Sequence, residues 1–135
     1  MAVIVRNDFG AVAVNKVVIE RMIIEDMLGM SDVLLLCNKK GRLIKEKPTP
    51  LIDPDYYDAV DVSDKKGHVT VKIYVIVDHK SSIPAVAGRV FEKVEQDFGM
   101  LRLEKPETIQ FKVRGLINRE EEIVKHSEDV VRNNS

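Results

Sequence analysis

The chain has 135 residues, a formal net charge of -1 and a single cysteine, Cys37. This length suits one domain with one hydrophobic core, and the near balance of charge excludes a global field that would draw the protein to nucleic acid or to an anionic membrane. A single cysteine excludes an intrachain disulfide and favours a reducing compartment.

The N-terminal third predicts a strand followed by a helix. Apolar and small residues alternate in the segment from Gly10 to Val14, which is typical of a short strand. Asn15 is a good helix N-cap, and we predict a helix from Lys16 to about Met27. Apolar residues surround most of this helix, so it is either a central core helix or one that also meets another subunit.

The middle of the chain is harder to interpret. The apolar run from Val33 to Cys37 predicts a buried strand, which Leu43 and Ile44 extend as a hairpin around a turn at residues 39–41. We interpret residues 38–58, which contain three prolines, as an exposed loop inserted into the fold. Ala59, Val60 and Val62 then predict a short strand, and the following residues to Gly67 predict a turn.

The clearest pattern runs from Gly67 to Gly99. It predicts a half-buried strand followed by an amphipathic helix whose first turn contains Pro84 and whose end is at Gly99. The apolar faces of the two elements would close on each other as one core. The residues predicted to form this core are Val69, Val71, Ile73, Val75, Val77, Val86, Val90, Val94 and Phe98.

The end of the chain predicts a strand and then a helix. Ile109, Phe111 and Val113 alternate with polar residues, as in a half-buried strand. Asn118 followed three residues later by Glu121 resembles a capping box, so we expect a helical tail over residues 118–135. The predicted fold is α+β: residues 1–117 form one domain in β-α-β-β-α-β order, with a mixed β-sheet covered by two helices, and the C-terminal helix follows.

Four constellations of polar residues are candidates for chemistry, and none is assigned a catalytic, cofactor-binding or metal role. An acidic stretch lacks the glycine that a calcium loop requires, because Asp58 occupies that position. Asp78, His79, Ser81 and Ser82 are too close in sequence to converge as a hydrolytic triad. Two basic turns, one at Lys39-Lys40 and one at Lys65-Lys66, are candidates for contact with RNA phosphates, although solvated turns explain them as well. The acidic stretch consists of Asp53, Asp55, Tyr56, Tyr57, Asp58, Asp61 and Asp64.

Three segments together resemble the alkaline shock protein family of Gram-positive bacteria, also described as general stress or envelope stress response proteins. They are the Gly10-Ala-Val-Ala-Val14 opening, the valine-rich strand from Gly67 to Val77 with the Ser82-Ile-Pro-Ala-Val-Ala87 helix start, and Ile109-Gln-Phe-Lys-Val-Arg-Gly115. The resemblance covers residues 9–30 and 59–116. The first helix is bulkier than is usual in that family, and residues 38–58 are a divergent insertion.

The resemblance implies a non-enzymatic protein that associates with itself or docks on partner proteins, in some members at the inner face of the membrane through an anchoring partner. No cofactor, nucleic acid or small-molecule substrate is expected. No apolar window approaches the length of about 20 residues that spans a bilayer, so we expect a soluble, cytoplasmic protein. The broad apolar surface of the first helix and the narrow apolar stripe of the tail each need a surface to pack on, so we expect a homo-oligomer. The alternative is a small α+β RNA-binding domain that uses the basic turns at Lys39-Lys40 and Lys65-Lys66.

Overall fold

The computed structural model describes residues 2–7, 10–44 and 54–134, and the side chains from residue 14 onward. Within these ranges the fold contains seven strands, two α-helices and one short 3₁₀ helix, Pro54–Asp58. The strands are β1 (Ala2–Asn7), β2 (Gly10–Asn15), β3 (Leu34–Leu36), β4 (Val60–Lys65), β5 (His68–Asp78), β6 (Thr108–Ile117) and β7 (Ile123–Asn133). The helices are α1 (Lys16–Leu28) and α2 (Ile83–Met100).

Strand β5 is the centre of a five-stranded mixed sheet. On one side, its first half pairs with β4 and its last residues pair with β3, both antiparallel. On the other side it pairs in parallel with β6, and α2 makes the crossover that a parallel pair requires. Strand β7 pairs antiparallel with β6 and forms the outer strand on that side, while β1 and β2 form a separate two-stranded hairpin. The predicted α+β class is confirmed.

Both helices contribute to one hydrophobic core against the sheet. Every residue predicted for the β5 and α2 core is buried in this cluster, where Ile19, Ile23 and Met27 of α1 join them. The predicted Asn15 cap is present, since its side chain accepts from the N–H of Val17. The Ser82 hydroxyl caps α2 in the same way, by accepting from the N–H of Ala85. The periodicities of 2 and 3.6 residues therefore located the core correctly.

The opposite face of the sheet carries a smaller apolar cluster. Cys37, Tyr74 and Ile76 are buried there, with Leu43 and Ile117 packed against them. A bridge between Cys37 and Leu43 closes the predicted hairpin. This hairpin lies over the face of β5 that carries Ile76, which is why an apolar side chain is accommodated on that face. Burial raises the pKa of the Cys37 thiol to about 12, and the charge of Arg114 only partly opposes this, so the thiol is unreactive at neutral pH.

The predicted C-terminal helix is wrong, since the last element is β7. Asn118 does cap backbone groups, but its side chain accepts from the N–H groups of Glu120 and Glu122 within the turn that joins β6 to β7. Glu121 has φ 59°, outside the helical region. The capping chemistry of Asn118 is therefore used in a hairpin.

Three smaller differences concern the other segments. Strand β1 was not predicted. Pro48, Pro50 and Asp53 lie outside the described residues, but Tyr56 of the expected exposed loop is 5% exposed and joins the core. Helix α2 continues one residue beyond Gly99, to Met100.

The hairpin between β4 and β5 turns on two residues, Lys66 and Gly67, with φ 55° and 86°. Positive φ at both positions is the type I′ pattern that matches the twist of the strands. We expect Gly67→Ala to lower the free energy of unfolding by about 1 kcal/mol, because alanine is strained at this φ.

Gly88→Ala is the matched control, because Gly88 lies inside α2 and a Cβ there would meet nothing within 4 Å. It should stabilise the protein by about 0.5 to 1 kcal/mol. Chemical denaturation of both variants measures the difference, and shifts of the same sign would contradict this account of the turn.

Candidate functional site

A cleft with a volume of about 750 Å³ lies where α1, β4 and the turn after β3 meet. Its described lining contains four cationic and three anionic side chains, together with Tyr57. The charged residues are Lys16, Lys39, Lys40, Arg42, Glu20, Asp58 and Asp61. Lys16 Nζ lies 3.8 Å from Asp61 Oδ1 across the cleft. Because both signs are present, this cleft favours a polar or zwitterionic ligand over a polyanion.

Glu20 is the buried acid of this cleft, with 5% of the residue exposed. Burial raises its pKa, while the charge of Lys16 and a hydrogen bond from the backbone N–H of Val62 lower it by less. The carbonyl of Ala59, just before β4, accepts from the N–H of Tyr74 in β5, so alternation turns the Val62 N–H outward, away from β5. Glu20 therefore caps the outer edge of β4, and this structural role explains its burial.

The basic turn in this cleft is a closed structure. The Asn38 side chain accepts from the N–H groups of Lys40 and Arg42 at 2.9 and 3.0 Å, which removes both donors from ligand binding. Gly41 has φ 83°, and a Cβ at this position would lie 3.3 Å from Arg114 Cβ. The turn therefore rests on β6, beside the middle of β5.

The second basic turn lies at the end of the β4–β5 hairpin. It is held by the Asp64 carboxylate, which accepts from the N–H of Gly67, and the adjacent His68 ring contacts the Glu107 carboxylate. The first turn follows Cys37, whose N–H donates to the carbonyl of Tyr74 in β5. The second turn lies just before His68, where β5 begins. Six residues of β5 separate Tyr74 from His68, which is a distance of roughly 20 Å. The two turns thus do not meet in one site.

The polar residues after β5 form a connection between elements. His79 Nδ1 lies 3.0 Å from the carbonyl oxygen of Ile117 and 3.3 Å from Asp78 Oδ1. Ser82 is occupied as the α2 cap, and the Ser81 N–H donates to the carbonyl of Asp78. Each of these residues therefore has a structural partner. None of these hydrogen bonds joins Ser81 or Ser82 to the His79 ring.

The aspartates of the acidic stretch are dispersed. Asp61 lies in the charged cleft, Asp64 holds the hairpin turn, and Asp55 and Asp58 belong to the 3₁₀ helix. Within residues 2–7, 10–44 and 54–134, no three His, Cys, Asp or Glu side chains lie together as a metal-binding group.

Two neighbouring carboxyl groups, of which Asp97 is buried and Asp26 half-buried, join the C-terminal turns of the two helices, and the sequence did not reveal them. Asp26 of α1 and Asp97 of α2 share a hydrogen bond, which requires one of them to be protonated. Burial, this hydrogen bond and the charge of Asp26 raise the pKa of Asp97 to about 8, against a smaller lowering by Lys93. The Oδ2 atom of each carboxyl group is buried without a hydrogen-bond partner among the described residues.

The outer edge of β7, which we call the β7 edge, is a candidate recognition surface. It is 11 residues long and contains no proline or glycine. Its even-numbered side chains from His126 to Arg132 are half-buried toward the helices, and its odd-numbered side chains are exposed on the other face. Ile123, Val124 and Val131 are 42, 54 and 54% exposed. Long edge strands with exposed apolar residues are templates for pairing with another chain.

Charged contacts fix β7 firmly on the rest of the fold. Asp129 Oδ1 accepts from Arg114 at 2.8 Å, and Asp129 Oδ2 accepts from Lys112 at 3.2 Å. Partial burial acts to raise the pKa of Asp129, but these two hydrogen bonds outweigh it and the pKa is lowered. On the helical side, Arg132 Nη1 lies 3.2 Å from Glu95 Oε1. These contacts join β7 to β6 and to α2.

Comparison of the chain with protein-family models, with curated proteins and with solved structures gave no match. The helices in the described part of the chain include none that combines the length and the apolar character needed to cross a membrane.

Proposed function

We propose that this protein is a non-enzymatic interaction module that associates with itself or docks on partner proteins. The observation that carries the proposal is the β7 edge: a long outer strand with exposed Ile123, Val124 and Val131. An incoming strand would satisfy the outward backbone groups of β7 and cover these side chains, which is the β-augmentation mode of recognition.

The two edges of the sheet differ in a way that supports this proposal. The outward N–H of Val62 on β4 is bonded to the buried Glu20 carboxylate, so α1 protects that edge. Strand β7 lies at the other end of the strand order. Proteins usually blunt an edge that is not meant to pair, by short length, proline or cover. Strand β7 has none of these three devices within the part of the chain that the structure describes, although it carries charged side chains and its pairing with β6 contains a register shift.

The biological setting rests on the family resemblance. It implies a role in the envelope or alkaline stress response, in the cytoplasm or at the inner face of the membrane through an anchoring partner. We accordingly expect loss of the protein to impair growth under alkaline stress, and expect a variant with a blocked β7 edge not to restore it.

Capture of partners by the full-length chain tests the interaction role. Val131→Lys places a charge on the β7 edge, whereas Val17→Lys changes a similarly exposed valine on α1 (49%). A specific partner should be retained by the wild type and by Val17→Lys and be lost with Val131→Lys. Equal capture by all three proteins would contradict the assignment of docking to β7.

The RNA-binding alternative makes a different prediction. Titration of labelled RNA at low salt, where phosphate contacts are strongest, should give no salt-sensitive binding. The separation of the two basic turns by roughly 20 Å, and the carboxylates of Asp58 and Asp61 beside the first turn, favour this result. Salt-sensitive binding that disappears when Lys39, Lys40, Lys65 and Lys66 become glutamine would replace the proposal with the alternative.

A further inference from the structure

The sequence of the β7 edge is complementary to itself when it is reversed. Around Ser127 the chain reads Ile123-Val-Lys-His-Ser127-Glu-Asp-Val-Val131, so two apolar residues and two basic residues on one side mirror two acidic residues and two apolar residues on the other. Antiparallel pairing about a two-fold axis places each residue opposite its mirror position. The occupant that this pattern fits is therefore a second copy of the same strand.

We infer that two copies of this chain associate through antiparallel pairing of their β7 edges, with the two-fold axis at Ser127. The inference rests on the proposed interaction role of β7 and names its partner. The two central strands would join the sheets of the two copies into one continuous sheet. The opposed residues would be Ile123 with Val131, Val124 with Val130, Lys125 with Asp129, His126 with Glu128, and Glu122 with Arg132.

The backbone supports this register. Near the two ends of β7, the N–H of Asn134 donates to Glu107 and the carbonyl of Glu122 accepts from Asn118, so the even-numbered residues turn their backbone toward β6. Lys125 opposes Gly115 and Asp129 opposes Lys112, and alternation on each side turns the backbone groups of both residues outward. Between them the register with β6 shifts, and His126 and Ser127 have no opposed residue on β6. Pairing about Ser127 places outward residues opposite outward residues, as antiparallel hydrogen bonding requires.

The side chains select this register over its neighbours. Opposite charges and apolar pairs directly across an antiparallel ladder are favourable, and like charges are not. A shift that moves the axis to Glu128 would place Glu128 against itself and Lys125 against Val131. A shift to His126 would place Val124 against Glu128 and Ile123 against Asp129. Both alternatives put charges against apolar side chains.

The exposed ammonium group of Lys125 also favours this pairing. It is exposed and has no ion-pair partner in the part of the chain that the structure describes. Across the axis it would lie beside Asp129 of the second copy, on the same face of the sheet. The exposed Ile123 and Val131 would cover each other on that face, and Val124 would gain Val130 on the helical face.

Crosslinking tests the register. In an antiparallel pair the Cα atoms of opposed, hydrogen-bonded residues lie about 5.5 Å apart, within the range for a disulfide. With Ser127→Cys, mild oxidation should give a covalent dimer. Val131→Cys is the control, since its two copies would lie roughly 26 Å apart across the axis. Crosslinking of Val131→Cys, or none with Ser127→Cys, would overturn the register; Cys37 is buried in both variants.

Sedimentation velocity tests the dimer itself. From about 5 to about 500 µM, the wild type should approach a mass twice the 15.3 kDa of the chain. Val131→Lys and Ile123→Glu should each raise the dissociation constant at least about tenfold, because each places a charge against an apolar residue. An equimolar mixture of the two variants should recover the dimer, since the introduced lysine of one chain would then face the introduced glutamate of the other. Circular dichroism checks that each variant is folded.

The outcomes separate this inference from the proposed function. A monomeric wild type, or a dimer that is disrupted by Val17→Lys and not by Val131→Lys, would overturn the inference. If the wild type is monomeric but still captures a partner that Val131→Lys loses, the docking role of β7 remains and the second copy is excluded as its occupant. Failure of the mixture to recover the dimer would also contradict the proposed pairing.

Discussion

Asp97→Asn should make the fold more stable at alkaline pH, by about 3 kcal/mol near pH 9. The pKa of Asp97 is raised to about 8 in the folded protein, from an ordinary value of 3.8. The folded state therefore holds a proton that the unfolded state releases, so this group's contribution to stability is complete below about pH 4 and falls as the pH rises to about 8. Asparagine can donate to Asp26 without carrying a charge, so the variant should lose this slope.

Thermal unfolding between about pH 5 and pH 9 measures the effect, with an expected rise in midpoint of roughly 10 °C at the alkaline end. Glu92→Gln is the control, since Glu92 is exposed on the same helix and its replacement should leave the pH profile unchanged. A profile for Asp97→Asn that parallels the wild type would mean that the Asp26–Asp97 pair does not share a proton. Stabilisation by Asp97→Asn at acid pH alone would contradict the predicted direction of the pH dependence.

Phe98→Ala should lower the free energy of unfolding by about 4 kcal/mol, through lost transfer energy and the cavity left behind. Phe98 is fully buried between α2 and the sheet, among the largest side chains of the core. This loss is a large fraction of the stability of a domain of this size. Urea denaturation measures it, and Ile73→Ala on the facing strand should cost roughly 2 to 5 kcal/mol by the same mechanism.

Met100→Ala is the control for Phe98→Ala. Met100 lies two residues further along α2 and is 76% exposed, so its truncation should change stability by less than about 0.5 kcal/mol. Equal effects of the two substitutions would indicate that α2 is not packed as described.

Periodicity predicted the centre of the fold because burial there follows local sequence. The alternation in β5 and the spacing in α2 each reflect one buried face, and both faces meet in the same core. The cap at Asn15 added a boundary signal that the structure uses as expected. Local chemistry and tertiary packing agree in these segments, which is why the prediction succeeded.

The C-terminal segment was mispredicted because its local signals permit two structures. Asn118 can satisfy the N–H groups of a helix start or of a tight turn, and it does the latter. The half-buried Val130, which packs on the core, and the exposed Val131 match alternation as well as a narrow helical stripe. The strand is favoured because its backbone groups pair with the outer edge of β6. An isolated helix would have had no such pairing partner.

The sequence alone also could not identify the candidate binding surface. The mirror pattern around Ser127 is present in the sequence, but its meaning depends on β7 being an outer strand, which only the strand order reveals. The approach of Asp26 to Asp97 depends on how two helices distant in sequence pack together. Such contacts between separated segments leave no periodic signal in the chain.

Amide hydrogen exchange along β7 is the most direct test of the claim that this edge is a protein-binding surface, filled by a second copy. The N–H groups of Lys125 and Asp129 face outward in one copy, whereas those of Glu128 and Val130 face β6. At high protein concentration the outward amides should become protected to a level similar to that of the inward ones, and on dilution they should exchange rapidly. Outward amides that exchange rapidly at every concentration, beside protected inward amides, would contradict self-pairing of β7.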